Sequence, residues 1–124
     1  MSEIDKSLAA ARERLGRRAT PADLDDVRER GGLVIDTRSM AQREHDGELP
    51  GAIVVERNVL EWRLDPTSPH RLPEVTDPHQ PVVIVCNEGY ASTLAALSLR
   101  DLGLTDVTDL EGGYQAWLAA QREP

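Results

Sequence analysis

The sequence predicts an α/β domain in which a mainly parallel sheet is flanked by helices. Two observations carry that expectation. The runs Leu33-Val34-Ile35, Ala52-Ile53-Val54-Val55 and Val82-Val83-Ile84-Val85 are continuous, apolar and too short for helices, which is the pattern of strands buried on both faces. Helical segments separate them, and strands alternating with helices imply βαβ units.

Taken in order, Ile4, Leu8, Ala11 and Leu15 recur at helical spacing, and Gly16 is placed to end that helix. Residues 1–19 are accordingly read as an N-terminal docking helix and residues 20–124 as a single domain. Thr20-Pro21-Ala22-Asp23 supplies a capping hydroxyl, a proline at the first helical position and an acid at the third, and Gly31-Gly32 closes this short second helix. The first apolar run follows. Ser39 to His45 reads as a helix, as does Asn58 to Leu64, with Asn58 and Glu61 as a capping pair. The proline-rich stretch from Asp65 to Gln80 reads as a surface loop. Ser92 to Leu102, ending at Gly103, is a helix, and Asp106-Val107-Thr108-Asp109-Leu110 is a weaker fourth strand.

Composition narrows the function. The 14 Lys and Arg against 22 Asp and Glu give a net charge of -8, so the field repels phosphate polymers and anionic membranes, and neither nucleic acid nor membrane is an expected partner. The opening residues contain early acids and no apolar signal-like stretch, which reads as cytoplasmic. With one cysteine, Cys86, an intramolecular disulfide and a cysteine-rich zinc site are both impossible. His45, His70 and His79 lie in polar or loop settings and are read as neither bases nor metal ligands; no metal or cofactor is expected.

Cys86 sits where chemistry would sit in such a fold. In open parallel sheets, ligands bind beyond the carboxyl ends of the strands, where loops lead into helices. The segment from Val82 to Ser92 runs from an apolar strand through Cys86-Asn87-Glu88-Gly89-Tyr90-Ala91 into a helix. Helix N-termini favour a thiolate, the nucleophilic form of cysteine. A loop curled around the sulfur would aim the backbone amides of Asn87, Glu88, Gly89, Tyr90, Ala91 and Ser92 inward as an anion cradle, with Gly89 permitting the curl and Ser92 capping the helix. The competing structural reading makes Cys86 a small hydrophobe at a strand end, which is a common role for a free cysteine.

Cys86-Asn87-Glu88-Gly89-Tyr90-Ala91-Ser92 resembles the C-x-x-G-x-[RTA]-S active-site loop of rhodanese-like proteins. Val34-Ile35-Asp36-Thr37-Arg38 is similar to that family's V-[IL]-D-x-R element, Gly47 to Ala52 to its G-H-I-P-G-A turn, and Leu110 to Trp117 to its L-x-G-G-x-x-x-W element. The resemblance covers roughly Thr20 to Ala119. It implies a three-layer domain with a mainly parallel five-stranded sheet. It also implies a sulfurtransferase in which Cys86 accepts a sulfane sulfur as a persulfide and donates it onward. The donor would be thiosulfate, a thiol persulfide or a protein persulfide, and the acceptor a thiol or cyanide. Asp36 and Arg38 would be supporting residues, and Gly51, Gly112 and Gly113 backbone necessities.

This sequence departs from the pattern at informative places. Ala91 stands where the family often has arginine, the loop's charge is the acid Glu88, and Glu48 replaces the histidine of the Gly47–Ala52 turn. Thiosulfate is a dianion, so Glu88 opposes it. Arg57 and Arg63, which follow the second apolar run, are candidates to restore positive charge for substrate, although arginines so placed are more often solvated on a helix surface. Two other functions compete. One is a non-catalytic rhodanese-like module that binds a partner or senses redox state. The other is a cysteine phosphatase, which would need an arginine six residues after the nucleophile, where this chain has Ser92.

Overall fold

A computed structural model describes residues 1–123. Its helices are α1 (Glu3–Leu15), α2 (Leu24–Glu29), α3 (Met40–Asp46), α4 (Leu60–Leu64), α5 (Ala91–Asp101) and α6 (Gly113–Gln121). The strands are β1 (Leu33–Asp36), β2 (Ile53–Val54), β3 (Val82–Val85) and β4 (Val107–Asp109). Short 3-10 turns at Pro21–Asp23 and Arg57–Val59 lead into α2 and α4.

The strands pair in the order β2-β1-β3-β4, and each pair is parallel. Among the described residues the sheet therefore has four strands, not the five expected. A trace of another remains as a single parallel bridge between Ala19 and Leu110, where the Ala19 amide donates to the Asp109 carbonyl at 2.9 Å. It extends no further because Pro21 lacks an amide hydrogen and opens the 3-10 turn.

β1 and β3 are buried along their whole length, as their apolar runs predict. Their side chains alternate between two core layers. Ile35, Ile84 and Val82 face a layer with Ala11, Leu15, Leu60, Leu64 and Leu99, while Val34, Val83 and Val85 face Leu24, Val27, Leu110 and Tyr114. Cutting a fully buried leucine such as Leu99 to alanine would cost about 2–5 kcal/mol in such a core. β2 departs from the expectation: it has two residues, lies at the sheet edge and leaves Val54 exposed, so it is not buried on both faces. The proline-rich stretch also does more than cross the surface, because Leu72 and Val75 turn inward and join the first core layer.

The N-terminal helix ends as expected. Gly16 adopts φ +76° and its amide donates to the Arg12 carbonyl. Ala11 and Leu15 bury against α5, while Ile4, at the far end of the apolar stripe, remains exposed. The carbonyls left open at the end of α1, those of Arg14 and Leu15, accept from Arg100 of α5. The expected capping pair at Asn58 is absent; Glu61 instead accepts hydrogen bonds from Arg57 and from Ser98 of α5.

Candidate active site

Cys86 follows the last residue of β3, half-buried, at the carboxyl end of the sheet. The start of α6 fixes the chain there. The Tyr114 amide donates to the Cys86 carbonyl at 2.9 Å and the Gln115 amide to the Asn87 carbonyl at 3.1 Å. Such an approach needs glycine at 113, where φ is +62° and a β-carbon would lie 2.6 Å from the Cys86 carbonyl oxygen. Gly89 then turns the loop back at φ +86°, packed so tightly that a β-carbon would lie 2.7 Å from the Gly112 amide nitrogen.

With the chain so curled, Cys86 Sγ accepts from the Gly89 amide at 3.2 Å and from the Ser92 amide at 3.4 Å. Of the six amides considered for the cradle, these two are within hydrogen-bond distance of the sulfur. Asn87 instead uses its side-chain oxygen to accept from Gln115 at 3.1 Å, while Glu88, Tyr90 and Ala91 are exposed on the rim. Two N–H donors converging on one sulfur at the start of an eleven-residue helix form a site suited to a sulfur anion.

Ser92 does not cap α5. It lies inside the helix, which begins at Ala91, and its hydroxyl donates to Asp109 Oδ2 at 2.7 Å. Sequence reasoning missed Asp109, and with it Arg18 and Arg12. Fully buried at the end of β4, Asp109 also accepts from the Thr93 hydroxyl at 2.8 Å and from Arg18 Nε and Nη2 at 2.8 and 3.0 Å. Arg18 passes on to the Gly89 carbonyl at 2.8 Å, and Arg12 of α1 reaches the same carbonyl at 3.0 Å. The hydrogen bond to Asp109 does most to hold the Arg18 guanidinium above its ordinary pKa; burial opposes this, and electrostatic coupling to Asp109, Glu111 and, least, Cys86 adds to it.

Asp36 and Arg38 form a buried pair beside this framework, with Arg38 Nη2 2.8 Å from Asp36 Oδ2. Arg38 also donates to the Gly47 carbonyl at 2.9 Å and lies 3.7 Å from the centre of the Tyr114 ring. The pair thus joins the Gly47 turn to α6, whose Tyr114 amide holds the Cys86 carbonyl. Arg57 makes a two-pronged pair with Glu61 at 2.9 and 3.0 Å, and Arg63 donates to the His70 carbonyl at 2.7 Å; neither hydrogen-bonds the Cys86 loop. His45 pairs with Asp46 and His79 with the Thr105 hydroxyl. Among the described residues no cluster of His, Cys, Asp or Glu is arranged to hold a metal.

This geometry has relatives. The profile of the rhodanese-like domain family matches residues 20–120. A thiosulfate sulfurtransferase, GlpE of Pseudomonas savastanoi, is 29% identical over 103 residues, covering 83% of this chain and 88% of the relative. Two solved structures superpose well. Protein RPA3614 of Rhodopseudomonas palustris, described as a protein of unknown function and possible tyrosine phosphatase, gives a TM-score of 0.83 at 31% identity over 98% of this chain and 92% of its own. The human single-domain sulfurtransferase TSTD1 gives 0.70 at 23% identity over 88% and 99%, a likeness of fold. The match over most of its length, with the glycine-turned loop around Cys86, makes this chain a member of the rhodanese-like domain family, in which it stands with the sulfurtransferases.

Proposed function

We propose that this domain transfers sulfur, with Cys86 as nucleophile and persulfide carrier. The observation that supports the reading most is the convergence of the Gly89 and Ser92 amides on Cys86 Sγ. Those donors favour the thiolate as attacking group and stabilise the terminal sulfur of a persulfide as the stored intermediate. With thiosulfate, the thiolate attacks the sulfane sulfur, an S–S bond forms at Cys86, and the S–S bond of thiosulfate breaks to release sulfite with its electron pair. A thiol persulfide would deliver the same sulfur and leave as a thiolate. The acceptor, cyanide or a thiolate, then attacks the outer sulfur and returns Cys86 to its thiolate. Asp36 and Arg38 support the loop in this reading, while a role for Arg57 and Arg63 toward an arriving anion would require them to leave Glu61 and the His70 carbonyl. We place the reaction in the cytoplasm, where thiol acceptors are maintained. Among the described residues no helix is long and apolar enough to cross a membrane.

The phosphatase reading draws on the description of RPA3614. Against it, Ser92 occupies the position a phosphate-clamping arginine needs, and its hydroxyl is committed to buried Asp109. A non-catalytic module would keep the same loop, so turnover separates it from an enzyme.

Intact-protein mass after exposure to thiosulfate or glutathione persulfide tests the proposal. Wild type should gain one sulfur atom at Cys86, and cyanide should remove it as thiocyanate over repeated cycles. Cys86→Ser should gain none while unfolding near the wild-type midpoint. No gain from either donor would sink the reading, and a gain that no acceptor removes would turn it into a sensor.

A further inference from the structure

The family match begins at residue 20, yet two side chains that precede it reach into the loop around Cys86. We propose that the N-terminal helix is a working part of the site, and that Arg12 is a positioning residue supplying the positive charge the loop itself lacks. The inference rests on the reading of Cys86 as the reactive sulfur.

Three observations carry it. Arg12 Nη2 and Arg18 Nη2 both donate to the carbonyl of buried Gly89, at 3.0 and 2.8 Å, while the amide of that glycine donates to Cys86 Sγ. Anchoring the carbonyl fixes the glycine's turn, and with it the direction of its amide. Glycine is the residue that most needs such anchoring, because it has the most backbone freedom to lose.

The two guanidiniums also differ in charge balance. Arg18 is matched by Asp109, whereas Arg12 has no carboxylate partner among the described residues. Its Nε is buried without a hydrogen bond, and its guanidinium lies 5.6 Å from the centre of the Tyr90 ring, on the rim of the same loop. An unmatched, half-buried cation is unfavourable for folding alone. A negative sulfur across the loop compensates for it, and the favour is mutual.

The other charges around Cys86 do not provide this compensation. Asp36 is matched by Arg38 and Asp109 by Arg18, while Glu88 and Glu111 are exposed, so that solvent screens them. Arg18, at the same Gly89 carbonyl, lies near enough to Cys86 for the two groups to couple electrostatically. α1 therefore brings from outside the family-matching residues what an arginine at position 91 would bring from inside the loop.

The test is a series at position 12 on the full chain: Arg12→Lys, Arg12→Gln and Arg12→Glu. The readout is the second-order rate constant for iodoacetamide alkylation of Cys86 at pH 7, alongside the thermal midpoint of each variant. Alkylation reports the thiolate without requiring sulfur transfer, so a failure here is distinguishable from a failure of the functional reading, which wild-type sulfur loading checks. The rate should follow the charge at position 12. Arg12→Lys should stay near wild type, Arg12→Gln fall about threefold to tenfold, and Arg12→Glu fall further. Any two folded variants of unlike charge decide the matter. Rates that are equal across the series, or that follow the thermal midpoints instead of the charge, would overturn the proposal and leave Arg12 as a packing residue of α1.

Discussion

A single carboxylate, Asp109, joins both ends of the loop around Cys86. Through the Ser92 hydroxyl it holds the residue whose amide is 3.4 Å from the sulfur, and through Arg18 it holds the carbonyl of Gly89, whose amide is 3.2 Å away. Replacing one partner of a buried charge network leaves the other uncompensated, and that mismatch costs more than the pair itself contributes. Asp109→Asn should therefore lower stability by about 3–5 kcal/mol in denaturant unfolding and slow sulfur loading, since both amide donors lose their anchor. A change below about 1 kcal/mol would show that solvent or rearrangement satisfies Arg18. Cys86, Gly89 and Gly113 were legible in the sequence because a strand-to-helix loop with glycines at set positions is a local pattern. Asp109 was not. In Val107-Thr108-Asp109-Leu110 it reads as one polar residue at the end of a weak strand, and its partners lie 17, 16 and 91 positions away.

Among the elements, α4 and α5 show how a local expectation yields to a tertiary one. Glu61, expected to cap its own helix, lies between Arg57 and the Ser98 hydroxyl of α5. Burial alone would raise its pKa, but the Ser98 and Arg57 hydrogen bonds outweigh burial and lower it. A carboxylate so depressed adds stability above its ordinary value of 4.5 and loses that contribution as pH falls through the folded-state value. Glu61→Gln should thus be less stable than wild type by about 1 kcal/mol at neutral pH, a partly exposed charged hydrogen bond being worth no more. The gap should close on acidification, as followed by chemical unfolding at several pH values. A gap that persists unchanged below the carboxylate range would assign the loss to packing between the helices. The helices and the inner strands β1 and β3 were readable from their periodicity and unbroken apolar runs, whereas the lengths of β2 and of the bridge at Ala19 depend on edge position and on Pro21, which apolar content does not encode.

On the scale of the whole molecule, charge governs which sulfur donor can approach. The chain carries a net charge of -8, and Glu88 adds an exposed acid to the loop that, on the function proposed above, admits the donor. Three arginines are matched by carboxylates, Arg18 by Asp109, Arg38 by Asp36 and Arg57 by Glu61, which leaves the charge of Arg12, at the Gly89 carbonyl, to act against Glu88. At a separation of about 7 Å, a unit charge opposes another by about 0.6–2.4 kcal/mol for effective dielectrics of about 80 down to 20. Thiosulfate, a dianion, meets this repulsion in full, whereas a persulfide carried on a larger thiol molecule meets it only in part. Glu88→Gln should therefore raise kcat/KM for thiosulfate by about threefold at the high-dielectric limit, and by up to about fiftyfold if the loop is poorly screened. The gain for a thiol persulfide should be smaller. Added salt should shrink the difference, because the Debye length falls from about 10 Å at 0.1 M to about 3 Å at 1 M. Steady-state kinetics of both donors with wild type and Glu88→Gln, at low and high ionic strength, provide the check. Equal changes for the two donors, or none for either, would mean that Glu88 points away into solvent and that the arginines around the site, Arg57 and Arg63 included, already neutralise the field an arriving anion meets.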